Sequence, residues 1–397
     1  SVAVASAMVM AMAGCGNTDN GSAATGTNAA TESAAASDSA ASGSVFKIGG
    51  IGPTTGGAAV YGLAVQHGAE IAVEEINAAG GINGYQVEFK FQDDEADAEK
   101  SVNAYNALKD WGAQIIDGST TSGACIAVTD KTKEDNMFQI TPSGSAVECV
   151  QYDNNFRVCF SNPNQGLASA QYIGENGLAE KIAVIYDSSD VYSSGIYEKF
   201  VKEAENQPFE VVAAEAFTAD NKTDFSVQLQ KAKDAGADMV FLPIYYQESA
   251  LILTQAAAMG YAPKWFSCDG MDGILGGVDN FDVSLTEGVM LLTPFAADAT
   301  DDLTQSFVTK YKEKYGDTPN QFAADSYDAI YVIKAAIEKS GVTPDMSVSD
   351  ICDGMKAAMT EITVDGLTGN GMTWTADGEA NKAPKAVVIE NGAYKAM

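Results

Sequence analysis

Residues 46–91 read FKIGGIGPTTGGAAVYGLAVQHGAEIAVEEINAAGGINGYQVEFKF, and they hold one full cycle of the pattern that decides the fold. Phe46 to Ile51 is a short apolar strand. From Val60 to Ala79 the residues Leu63, Ile71, Val73 and Ile76 fall at helical spacing. Gly80, Gly81 and Gly84 then stop the helix, since glycine suits the left-handed backbone that follows one. Tyr85, Val87, Phe89 and Phe91 alternate with Gln86, Glu88 and Lys90, which predicts a half-buried strand. The cycle repeats: a helix over 96–111, a strand over 114–117, a helix over 124–135 and a strand over 138–141. A second series contains Lys181–Tyr186 and Asp238–Ile244, near-continuous apolar runs typical of parallel strands covered on both faces. Helices are predicted over 192–205, 224–235, 247–259, 301–315 and 321–340, with a strand over 288–293. Repeated strand–helix units imply parallel sheets with right-handed crossovers. Two series imply an α/β fold of two doubly wound lobes, with a ligand in the cleft between them, at strand ends and helix starts.

Composition removes several functions. Among 397 residues there are 23 Lys plus Arg against 54 Asp plus Glu, a net charge of −31. Such a chain lacks the basic patches that nucleic acid requires, and an anionic membrane surface would repel it. The one histidine is His67 and the one arginine is Arg157. A Ser–His–Asp triad would have to use His67, and a histidine-rich zinc site is ruled out. Neither a metal nor a cofactor is expected. Gly50-Ile-Gly52 follows a strand, but the next strand ends at Asp93-Asp94, 44 residues after Gly50. A dinucleotide site places its acidic residue ~20 residues on.

The first 44 residues stand apart. Val2 to Gly14 is an uncharged, largely apolar run of 13 before Cys15. It is shorter than the ~20 residues a bilayer span takes. It fits the core of a secretion signal, and Met12-Ala13-Gly14-Cys15 resembles a bacterial lipobox. Residues 1–14 are thus expected to be part of a lipoprotein signal peptide. Residues 15–44 are expected to be a flexible tether lipidated at Cys15, because Asn17–Ser44 has no aromatic residue and is too polar to fold. The mature chain would sit on the outer face of the bacterial membrane. Five other cysteines remain, at 125, 149, 159, 268 and 352. Export favours disulfides. A Cys125–Cys149 bridge would staple two adjacent strand–helix units, and Cys149–Cys159 is the alternative.

Three stretches carry chemistry. Asp117-Gly-Ser-Thr-Thr-Ser-Gly123 joins a strand to a helix, so the hydroxyls of Thr121 and Ser122 lie beside unpaired helix N–H groups. That arrangement binds a carboxylate without a cationic side chain. Thr141-Pro-Ser-Gly-Ser145 ends the next strand and offers a second wall through Ser143, Gly144 and Ser145. Asp269 is a candidate partner for a ligand cation. Tyr61, Tyr192 and Tyr245, each near a strand end or helix start, could wall an apolar pocket.

Taken together, these stretches resemble the solute-binding proteins of bacterial ABC importers, of the type related to the leucine/isoleucine/valine-binding protein. The carriers are Ile48–Gly56 with Tyr61-Gly62, Ala72–Gly84, Phe91–Asp94, Ile140–Ser143, Asn164–Gly166, Val184–Asp187 with Tyr192, and Asp224–Ser226. The resemblance implies two α/β lobes joined by three strands, of the type I periplasmic-binding kind. Residues 45–162 and 295–372 would form lobe 1, and 163–294 and 373–397 lobe 2. It implies that Ser122 and Ser143–Ser145 hold an amino acid's carboxylate and amino group, that Asp269 pairs with its ammonium, and that Tyr61, Tyr192 and Tyr245 line the pocket. Asp269 stands where the leucine/isoleucine/valine-binding protein has Glu, and Thr121 where it has Cys. The implied function is capture of a small apolar amino acid, without catalysis, by a monomer that delivers it to a permease driven by separate ATPase subunits. The alternatives are a ligand-sensing ectodomain, or a binder of an amide, urea or aromatic acid.

Overall fold

The computed structural model describes residues 43–397. The expectations placed on residues 1–42, lipidation of Cys15 among them, lie outside the described residues. The first sheet contains β1 (Phe46–Gly52), β2 (Val87–Asp93), β3 (Ile115–Asp117), β4 (Phe138–Thr141) and β5 (Asn155–Arg157). Its order is β2-β1-β3-β4-β5 and every pairing is parallel. Helices α1 (Ala59–Ala78), α2 (Ala98–Trp111) and α3 (Ser122–Asp135) make its crossovers.

The chain then enters the second lobe through α4 (Asn162–Glu175). There β6 (Lys181–Asp187), α5 (Val191–Ala204), β7 (Glu210–Phe217), α6 (Ser226–Asp234), β8 (Met239–Leu242), α7 (Tyr246–Ala258), β9 (Lys264–Ser267) and β10 (Met290–Thr293) follow. The lobe-1 helices α8 (Asp302–Tyr315), α9 (Gln321–Ser340) and α10 (Val348–Met359) come next, and β11 (Lys385–Glu390) and β12 (Ala393–Ala396) return to the second sheet. That sheet runs β12-β11-β10-β9-β8-β6-β7. It is parallel from β7 to β10, but β11 and β12 pair antiparallel, so it is mixed. The chain passes between sheets three times: after β5, after β10 and before β11.

Local chemistry explains these boundaries. Asp97, Ser161, Asp190, Asp301 and Asn320 cap α2, α4, α5, α8 and α9 by accepting backbone N–H groups of the first turn. Helices α1 and α9 lie close because Gly68 has no Cβ; an added one would meet the Ala323 carbonyl oxygen at 2.0 Å. Ile182–Ile185 of β6 and all of β8 are buried, as their apolar runs require.

One domain boundary moves. Residues 373–384, assigned to lobe 2 by the sequence, pack on lobe 1. The buried Trp374 indole donates to the Arg157 carbonyl (2.8 Å), and Arg157 N–H donates to the Gly378 carbonyl (3.0 Å). A buried indole N–H needs an acceptor, and β5 supplies it. Just before the crossing to β11, Lys382 forms an ion pair with Asp325 of α9 at 2.7 Å, with both side chains almost fully buried. Replacing Lys382 by Met leaves that carboxylate buried and uncompensated. We expect a loss of about 3–5 kcal/mol in urea denaturation, whereas a loss below about 1 kcal/mol would mean that the pair does not anchor this crossing.

Candidate functional site

The first wall lies at the end of β3. The helix α3 begins at Ser122, and its first intrahelical bond runs from Cys125 N–H to the Thr121 carbonyl. The three N–H groups before Cys125 therefore have no helical acceptor. The Thr121 side chain makes no capping bond; its buried hydroxyl has no partner among the described residues. Ser122 Oγ accepts from the N–H groups of Ser145 (3.2 Å) and Ala146 (3.1 Å). Its lone pairs are thus engaged, and its own proton is left to donate. Ser143 is the reverse case: its hydroxyl donates to the Thr120 carbonyl (2.6 Å), leaving its lone pairs to accept. One wall thus offers both a donor and an acceptor without a charged group.

The second wall is built on Asp269, just after β9. The residue is 5% exposed. Tyr192 hydroxyl donates to Oδ1 (2.6 Å) and Gln165 Nε2 donates to Oδ2 (2.9 Å). The Gly270 N–H donates to the same Tyr192 oxygen (2.9 Å), which fixes the phenol. Burial pushes the Asp269 carboxyl up to about 6; the bonds from Tyr192 and Gln165 hold it down, and the nearby Asp325 raises it further. No lysine or arginine pairs with Asp269 among the described residues. Tyr245 stacks on Tyr192 (centroids 5.0 Å, 25°) and meets Tyr61 edge-on (5.4 Å, 71°).

The two walls are joined across the cleft. Tyr61, on α1 of the first lobe, donates its hydroxyl to the Gly270 carbonyl and accepts from Tyr246 N–H (3.2 Å) of the second. Gln321, at the start of α9, donates Nε2 to the Asp269 carbonyl (3.0 Å) and its N–H to Asp272 (2.9 Å). Four interlobe hydrogen bonds describe a closed clamp.

Inside it lies a tightly closed cavity of about 10 Å³, lined by Tyr61, Thr120, Thr121, Ser122, Ser143, Tyr192, Tyr245, Asp269, Gly270 and Phe322. Thr121 and Tyr245 also line an outer cleft of about 580 Å³, with Asp187, Asp190 and Glu248 on its walls.

Seven of the nine candidate ligand residues therefore share one cavity. Gly144 and Ser145 do not line it; they stand behind Ser122, and the buried Ser145 hydroxyl has no partner among the described residues. Sequence reasoning missed Thr120, Gly270, Phe322 and the supporting Gln165 and Gln321. Thr120 sits inside the hydroxyl run already singled out, while Phe322 and Gln321 carry no local signal. The expected Cys125–Cys149 bridge is absent: both thiols are buried and free, as are Cys159, Cys268 and Cys352. Each sulfur has its own partner, Gln139 Nε2 for Cys125 (3.6 Å) and the Ser122 carbonyl for Cys149 (3.7 Å). Among the described residues there is no cluster of three or more metal-ligating side chains, and no helix is long and apolar enough to cross a membrane.

Two lobes clamped over a buried, partly polar cavity define a binding protein of the two-lobed type. The chain belongs to the periplasmic binding protein family, whose sequence model matches residues 45–393. It is 30% identical over 300 residues to the Leu/Ile/Val-binding protein homolog 3 of Brucella melitensis, covering 75% of this chain and 80% of that one. It is 30% identical over 302 residues to the leucine-, isoleucine-, valine-, threonine-, and alanine-binding protein of Pseudomonas aeruginosa, covering 74% and 78%. In structure it is similar to the leucine-binding protein LivK of Thermotoga maritima (TM-score 0.79, 28% identity, 89% of this chain and 98% of that one). It is equally similar to the branched-chain amino acid transporter substrate-binding protein LivJ of Streptococcus pneumoniae in complex with isoleucine (TM-score 0.79, 28% identity, 89% and 99%).

Buried aspartates give the free protein a signature. Burial pushes Asp94, Asp190, Asp269 and Asp325 up to about 6 and Asp117 to about 7. The folded state holds these protons more tightly than the unfolded chain, so their contribution to stability is full at low pH and is lost as pH rises toward 6–7. His67, lowered by burial, acts in the opposite sense but is one group against five. We expect the ligand-free thermal midpoint to be lower at pH 7 than at pH 5, and Asp269→Asn to shrink that drop. A midpoint that rises over this range would show these carboxyls to be better solvated than their burial implies.

Proposed function

We propose that this chain is the extracytoplasmic receptor of an ABC importer, closing on a small apolar amino acid. The observation that carries the reading is Asp269: a buried carboxylate contacted only by neutral donors, sharing one cavity with an anion-binding helix start. A zwitterion answers both ends. Its ammonium meets Asp269, with the Ser143 oxygen as a second acceptor, through charge-assisted bonds. Its carboxylate meets the Ser122 hydroxyl and the free N–H groups of α3. Tyr61, Tyr245 and Phe322 offer an apolar surface for the side chain. The relatives named for Leu, Ile and Val support that preference, and the one also named for threonine and alanine fits the hydroxyls of Thr120 and Thr121 at the same cavity. An aromatic acid or urea brings no cation for Asp269.

The mechanism is capture, not turnover. Tyr61 and Gln321 hold the lobes together, and a ligand shifts the open–closed balance only by its preference for the closed form. The closed receptor then docks, as a monomer, on permease subunits coupled to ATPases, tethered at the membrane's outer face through Cys15.

Calorimetry with leucine tests the site. Asp269→Asn keeps the shape and removes the charge; we expect binding about 100-fold weaker, or about 2.7 kcal/mol. Cys268→Ala, one residue away and facing Ser169, should change affinity less than threefold. Equal small effects of both substitutions would refute this placement of the ammonium.

A further inference from the structure

The only arginine in the chain does not line the cavity, yet its side chain is fully buried directly behind it. Arg157 ends β5, at the edge of the first sheet. Its Nη1 donates to the Gly144 carbonyl (3.2 Å) and its Nη2 to the Ala146 carbonyl (2.8 Å). Its Nε lies 3.3 Å from the carboxylate of Glu379, which is about one-third exposed. Two of its three polar neighbours are therefore backbone carbonyls of the loop that bears Ser143 and Ser145. A buried guanidinium is costly unless its donors find acceptors; the two terminal nitrogens find theirs in that loop, while Nε has no hydrogen-bond partner among the described residues.

The peptide unit whose carbonyl belongs to Gly144 has as its N–H that of Ser145. That N–H donates to Ser122 Oγ. A continuous line of hydrogen bonds thus runs from the guanidinium, through one peptide, to the hydroxyl whose proton faces the cavity. Each bond in such a line polarises the next, so a cation at one end strengthens the donor at the other. The loop is gripped from both sides: Ser122 holds two of its N–H groups, and Arg157 holds two of its carbonyls.

The geometry points to Arg157 as a positioning residue of the carboxylate wall. It clamps residues 144–146 against Ser122 and relays positive charge to a bound carboxylate through the Gly144–Ser145 peptide, without touching the ligand. Lysine substitutes poorly, because its ammonium keeps the charge but lacks the rigid planar fork that holds both carbonyls. The relay rests on the amino-acid reading above; the clamp is a property of the free protein.

Two measurements on the folded protein decide it. In ligand-free Arg157→Lys, amide hydrogen exchange by NMR should be at least tenfold faster at Ser145 and Ala146 and unchanged at Val184 in the second lobe; unaltered exchange at Ser145 and Ala146 overturns the clamp. In Arg157→Met, leucine should bind at least tenfold more weakly, while leucinamide, which keeps the ammonium and side chain but has no carboxylate, loses less than threefold. Equal weakening of both ligands would assign Arg157 a packing role only and overturn the relay. Should Arg157→Met fail to fold, the same ligand pair is measured on Arg157→Lys, with a smaller but still unequal loss expected and an equal one contradicting the relay. Wild-type protein that binds no leucine would end the amino-acid reading and the relay with it, whereas the exchange data would still decide the clamp.

Discussion

A carboxylate held in dry protein by neutral donors alone is the constraint on which this structure turns. Desolvation opposes the charge on Asp269, and Tyr192 and Gln165 offset that only in part, so its carboxyl titrates near 6 rather than in the usual carboxylate range. The backbone carbonyl of the same residue accepts from Gln321 of the other lobe, and the next carbonyl, Gly270, accepts from Tyr61. Closure of the lobes and burial of this carboxylate therefore happen at one place in the chain.

The opposite wall solves the complementary problem with no cation in contact. Helix α3 presents unpaired N–H groups, Ser122 keeps a proton free because its lone pairs are occupied, and the hydroxyl of Ser143 is turned the other way. Donor and acceptor roles are set by backbone bonds behind the side chains. The chain's single arginine sits one layer deeper, so that its charge reaches the site through polarised peptides. A direct guanidinium–carboxylate contact would bind more strongly; the indirect one keeps the cavity neutral enough for apolar side chains.

Much of this was legible from residue patterns, and the exceptions share a cause. Strands such as β6 and β8 announce themselves because both faces are buried, and α1 because glycines stop it after a regular apolar stripe. Strand β7 reads EVVAAEAF, lies at a sheet edge and is half exposed, so its alternation is weak. Helix α3 starts at Ser122, two residues before the sequence suggests, because tertiary bonds from Ser145 and Ala146 hold a residue of indifferent propensity in the first turn. The hydroxyl runs and Asp269 were visible as chemistry at strand ends. Phe322, which lines the cavity, and Gln321, which bonds the Asp269 carbonyl beside it, were not, since they come from a helix start 52 positions beyond Asp269 and nothing local marks them. The lobe boundary at 373 was misplaced for a similar reason: the acceptor of the Trp374 indole is 217 positions away. Cys125 and Cys149, in adjacent strand–helix units, do meet in space, where a hydrogen bond with Cys149 holds the Cys125 thiol down, but no bridge joins them.

The most direct test is a crystal structure of the protein grown with leucine. The account predicts leucine in the interlobe cavity, its ammonium nitrogen about 2.7–2.9 Å from an Asp269 carboxylate oxygen and its carboxylate at comparable distance from Ser122 Oγ and the first N–H groups of α3. Leucine bound in the reverse orientation, or density for it only in the outer acidic cleft, would contradict it.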